Sequence, residues 1–116
     1  MYEKFVFFAF RGDSMCFIHV LLNALELASH GKESKIVFEG ESVKLLPELY
    51  DEKGALHHLY KRALEKNLIA GVCKACSQKF GTYEFAKKMG LTILEELSNH
   101  ASMWSFIKEG YQVITM

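Results

Sequence analysis

Leu68-Ile-Ala-Gly-Val-Cys73-Lys-Ala-Cys76-Ser-Gln-Lys-Phe-Gly81 is the stretch from which the rest of the chain can be read. A short apolar run ending in Gly-Val predicts a buried strand, and the Cys-x-x-Cys behind it falls where a strand hands over to a helix. Proteins that alternate strands and helices place their chemistry at such points. A thiol at a helix start feels unpaired backbone N–H groups, and Lys74 and Lys79 bring positive charge close in sequence, so Cys73 is expected to ionise readily. The plainer reading is that a cysteine after a strand is a small buried hydrophobe.

With 116 residues the chain has room for one domain, residues 1–116, with one core. Lys plus Arg and Asp plus Glu are fourteen each, so no net field draws phosphate backbones or anionic lipid, and neither nucleic acid nor membrane is expected as a partner. Three cysteines do not make a disulfide framework. Met1-Tyr-Glu-Lys4 precedes an apolar run too short for a signal peptide, and no run reaches membrane-spanning length. A cytoplasmic protein with reduced thiols is expected.

Outward from the central stretch, the chain alternates. Lys4 to Phe10 predicts a strand covered on both faces, and Asp13 or Ser14 can cap a helix from Met15 to His30 that Gly31 ends. On that helix Cys16, His19, Asn23, Glu26 and His30 form one narrow polar stripe, and nearly all else is apolar. Lys35 to Glu39 predicts a second strand. Ser42 can cap a short helix through Leu49, in which Pro47 should distort the path or mark a second start. Ala55 to Lys66 keeps helical spacing, with His57 and His58 pointing to different faces. After the central stretch come a helix from Tyr83 to Met89, a short strand over Leu91 to Leu94, an amphipathic run to Glu109, and a last strand from Tyr111 to Thr115.

This pattern predicts an α/β fold: three layers, about five strands in a mostly parallel, flavodoxin- or Rossmann-like sheet, helices on both faces, right-handed crossovers. Such a sheet gathers every strand's carboxyl end on one edge, so Cys16, Cys73, Cys76 and His100 are all expected there. If the first and third strands are neighbours, as in a flavodoxin-like order, Cys16 and Cys73 face each other across the switch point.

Three segments resemble the DsrE/DsrF-like sulfur-relay family: Phe38-Glu-Gly-Glu-Ser-Val-Lys-Leu45, Cys73 placed eight residues before Gly81, and Glu109-Gly-Tyr-Gln-Val-Ile-Thr115. Together they span most of the chain. The resemblance implies a small cytoplasmic α/β protein in which Cys73 carries a persulfide and passes sulfur to a partner protein, with copies assembled as trimers or hexamers. On that reading Cys76 modulates or resolves Cys73, and Lys74 and Lys79 lower its pKa. Cys16 and Cys76 lie outside the minimal pattern of the sulfur carriers.

Other chemistry fits the same residues. Cys73 and Cys76 are a usable pair of soft ligands, and a zinc-type site would draw two more from Cys16, His19 and His100. A thioredoxin-like dithiol matches the strand-to-helix position, but the only proline, Pro47, does not supply that fold's cis-proline. No glycine-rich fingerprint follows the first strand, which removes the usual nucleotide site. A non-catalytic interaction subunit is the remaining alternative. The apolar flanks of the long helix, with Met103, Trp104 and Phe106, predict a homo-oligomer, a trimer by resemblance.

Overall fold

A computed structural model describes residues 3–116. Met1 and Tyr2, the first residues of the N-terminal reading, lie outside the described residues. Strand β1 is Lys4–Ala9, and its aromatic and β-branched side chains are buried from Val6 onward because neighbours cover both faces. Asp13 caps helix α1, Ser14–Ser29, by accepting the Cys16 N–H at 2.8 Å. Strand β2 is Glu33–Phe38, a 3₁₀ turn covers Gly40–Leu45, and helix α2, Leu46–Tyr50, restarts with Pro47 in its first turn. Helix α3 is His57–Glu65, and strand β3 is Ile69–Cys73.

Helices α4, Lys74–Lys79, and α5, Tyr83–Lys88, lead to the two-residue strand β4, Ile93–Leu94. Helix α6, Met103–Ile107, then precedes strand β5, Gln112–Thr115. All four strand pairings are parallel, in the order β4-β3-β2-β1-β5. The expected three-layer α/β fold is therefore present.

The strand order differs from the flavodoxin-like one in a way that matters. β2 stands between β1 and β3, so the first and third strands are not neighbours and are about 10 Å apart at the usual strand spacing. The chain steps outward from β1 to β4, and only then crosses the whole sheet to place β5 beside β1. Phe17 of α1 stacks on Phe38 at 5.1 Å and Tyr60 of α3 meets the same ring, which fixes α1 and α3 on one face. Phe106 of α6 packs edge-on against Phe8 at 5.7 Å on the other. The return crossover thus runs over the face that the earlier helices leave free.

On α1 the buried side is Phe17, Val20, Leu21, Ala24 and Leu25, while His19, Asn23, Glu26 and His30 are exposed. Met15 and Leu22 are exposed apolar residues of the same helix. Of the histidine pair, His57 meets the Leu49 carbonyl oxygen at 2.9 Å and His58 faces solvent. No described helix is long and apolar enough to cross a membrane.

Candidate metal centre

Side chains alternate along a strand, and the pairings Phe8 with Val37 and Val37 with Gly71 place Phe8, Val37, Gly71 and Cys73 on one face. Phe8 faces α6, so Cys73 also points beneath the return crossover. Its side chain is fully buried. Gly71 is required here because a Cβ would lie 2.7 Å from the Thr92 carbonyl oxygen and 2.8 Å from Leu94 Cγ. Only a residue without a side chain lets β4 approach this closely, and β4 carries the chain that becomes the crossover.

Cys76 follows one turn later on α4 and is buried. Across the edge, β2 ends at Phe38, and Glu39 lies at the start of the 3₁₀ turn. Ser42 fixes this corner: its hydroxyl oxygen accepts the Glu39 N–H at 3.1 Å and lies 2.6 Å from the Ala9 carbonyl oxygen, tying the ends of β1 and β2 together. Gly40 has φ of 58° and its absent Cβ would press on the Phe10 carbonyl at 3.1 Å. That conformation aims the Gly40 N–H at Cys76 Sγ, 3.2 Å away.

His100 comes from the crossover. Leu97 and His100 exchange both backbone hydrogen bonds, at 2.9 and 2.8 Å, around Ser98 and Asn99 with φ of 49° and 71°. Two positive φ values inside such a pair make a type I′ turn, which costs energy for residues other than glycine. The Asn99 carbonyl accepts the Ala75 N–H at 2.8 Å, so the first turn of α4 holds the turn against the thiols.

The result is a compact donor set. One ligand atom from each of Glu39, Cys73, Cys76 and His100 lies within 4.8 Å of every other. His100 Nδ1 is 3.4 Å from Cys73 Sγ and 3.8 Å from Cys76 Sγ. A tetrahedral zinc ion, with bonds of about 2.3 Å to sulfur and about 2.0 Å to nitrogen, separates those atoms by roughly 3.6 Å. Burial pushes the Cys76 thiol up to about 11, helped by its hydrogen bond with Cys73 and opposed by the Gly40 N–H. Burial also pushes the Glu39 carboxyl up, against the pull of nearby His100.

Of the residues expected at the site, Cys73, Cys76 and His100 are brought together and the others are not. Cys16 sits in the first turn of α1, where Asp13 raises its pKa by hydrogen bonding, and the intervening β2 keeps it out of the donor set. His19 belongs to the exposed stripe of α1. Lys74 Nζ pairs with Glu95 at 3.1 Å, and Lys79 Nζ lies over the Phe80 ring at 5.7 Å, so the two ammonium groups are directed elsewhere. The Ala75 N–H, one donor of the helix start, goes to Asn99. Cys73 is therefore enclosed, with neither lysine directed at it.

Glu39 is the member that reading the sequence misses. Its one signal is position, at the end of the strand adjacent to β3, and that adjacency is a property of the sheet.

Across 99 residues, 85% of this chain and 78% of the relative, the sequence is 31% identical to an uncharacterised protein of Methanocaldococcus jannaschii, MJ0733. An uncharacterised protein of Archaeoglobus fulgidus is 34% identical over 61 residues, which is 53% of this chain and 98% of that one. No family model matches the chain, and no solved structure does.

Proposed function

We propose, for a chain that belongs to the same family as the uncharacterised archaeal protein MJ0733, that it is a metal-binding protein with a zinc-type site built from Cys73, Cys76, His100 and Glu39. One observation carries the reading: four donor atoms from three separate parts of the chain converge within 4.8 Å, with sulfur-to-nitrogen separations that suit tetrahedral coordination. Two thiols, an imidazole and a carboxylate suit a borderline-soft divalent cation better than a hard one, which takes oxygen donors. Four protein ligands close a tetrahedron without water, so the role is structural or regulatory. Free thiols persist in a reducing compartment, in keeping with a cytoplasmic protein.

Metal uptake tests this directly. Protein refolded with Zn²⁺ should show a native mass one zinc ion higher, lost on strong chelation, and Co²⁺ should give the intense visible bands of a tetrahedral thiolate site. Absence of uptake, or uptake unchanged in Cys73→Ser and Cys76→Ser together, overturns the reading.

The sulfur relay implied by the DsrE/DsrF resemblance is a second reading, and one observation moves it from Cys73 to Cys76. The Gly40 N–H at 3.2 Å can stabilise a Cys76 thiolate or persulfide, whereas Cys73 is fully enclosed. Loading with a persulfide donor should then add one sulfur to metal-free protein, and Cys76→Ser should abolish it.

A further inference from the structure

The two edges of the sheet are protected to very different degrees. β4 is two residues long, and a short edge strand offers little to pair with. β5 is twice that length and reads Gln112-Val-Ile-Thr115, with no charge, no proline and no bulge in its pairing with β1. Among the described residues no segment pairs with its outer side. Such a strand is a template for another strand.

Its hydrogen bonds show which groups are free. Met116 donates its N–H to the Phe8 carbonyl at 3.1 Å and accepts the Phe10 N–H at 2.7 Å, so it directs both polar groups at β1. Alternation gives Ile114 the same direction and turns the backbone groups of Val113 and Thr115 outward. The Gln112 side chain reaches the Val113 carbonyl only at 3.5 Å, at the limit of a hydrogen bond.

The surfaces beside this edge are largely apolar. On the α1 side a cleft is lined by Phe5, Phe7, Leu27, Ile114 and Met116, with Asn23 and Glu26 of α1 as its polar wall. On the other side α6 exposes Trp104 and Ile107, 65% and 48% accessible and one turn apart.

We infer that β5 is a dimer interface, at which two copies of this chain pair their β5 strands antiparallel about a two-fold axis and form one continuous ten-stranded sheet. The occupant is a second copy because the edge is self-complementary. With the axis at Ile114, the outward groups of Val113 meet those of Thr115 in the partner, and Thr115 meets Val113, which makes four backbone hydrogen bonds. The two Ile114 side chains then face each other as a non-hydrogen-bonded cross-strand pair at the clefts. Four bonds and one side-chain pair fall short of a standard interface of about 1,600 Å², so the flanking apolar surfaces must contribute and the affinity should lie in the micromolar range. This inference does not rest on the metal reading.

Sedimentation equilibrium on the whole chain decides it. Wild-type protein should approach twice the 13.3 kDa chain mass as concentration rises through the micromolar range. Val113→Pro removes an outward N–H without touching the bonds to β1, and Ile114→Lys sets two like charges across the axis. Both should sediment as single chains with unchanged circular dichroism and unchanged zinc uptake. A single-chain or three-chain mass for the wild type overturns the inference, as does a two-chain mass retained by whichever variant folds.

Discussion

His100 Nδ1 lies 3.4 Å from Cys73 Sγ and 3.8 Å from Cys76 Sγ, so a single ring nitrogen stands against both thiols. The histidine reaches them from the first part of the crossover that returns the chain from β4 to a place beside β1. Its position couples the site to the one connection that spans the sheet.

If these atoms hold zinc, removing any one of them should cost more than the roughly 10- to 100-fold that loss of an outer-shell partner costs in affinity. His100→Ala and Cys76→Ser should exceed that range in a competition titration with a chromophoric chelator. Glu39→Gln discriminates: a loss inside the range makes Glu39 an outer partner, and a loss beyond it makes it a ligand.

Alkylation of metal-free protein should run first at Cys16, which is partly exposed, then at Cys76, and last at fully buried Cys73. Zinc should slow Cys76 and Cys73 and leave Cys16 unaffected. Peptide mass mapping after timed alkylation gives the order, and Cys73 reacting first would contradict the burial.

The raised pKa of Cys76 carries a pH signature. Its folded value of about 11 stands above the ordinary thiol value of 9.0, so between those limits the folded metal-free protein binds more protons than the unfolded chain. This contribution to stability is complete below pH 9 and is lost as pH rises toward 11. Denaturant midpoints should fall across that window, and Cys76→Ala should reduce the slope. Zinc should reverse the trend near neutrality, since binding displaces thiol protons and strengthens with pH.

Gly71→Ala should destabilise the fold by about 1–3 kcal/mol, because the new methyl group meets the Thr92 carbonyl at 2.7 Å. It should also weaken metal binding, since β4 carries the turn that presents His100. Denaturant unfolding measures the first effect and chelator competition the second. Unchanged metal affinity would show that the turn is held independently of β4.

Ser98 and Asn99 occupy left-handed conformations that a type I′ turn prefers to fill with Asn-Gly. Replacing the pair by Ser98→Asn with Asn99→Gly should stabilise the protein by about 1 kcal/mol in denaturant unfolding and leave zinc affinity within a factor of two or so. A large loss of affinity would mean that the original side chains, and not the turn geometry alone, position His100.

Much of this protein is legible in its sequence. The apolar run into Cys73, the glycines that close helices and the alternation of periods determine five strands, the parallel sheet and the carboxyl-end placement of the Cys-x-x-Cys pair, because these follow from local side-chain spacing and backbone preference. Pro47 marks the restart at α2 for the same local reason. Strand order is another matter. That β2 lies between β1 and β3 depends on packing among residues distant in sequence, and this one fact excludes Cys16, admits Glu39 and leaves β5 as the longer open edge. The partners of Lys74 and Lys79 are likewise decided by where Glu95 and Phe80 come to rest. Sequence spacing names the donors that share a turn; only the tertiary structure, by laying the return crossover over β3, decides which distant histidine and carboxylate join them.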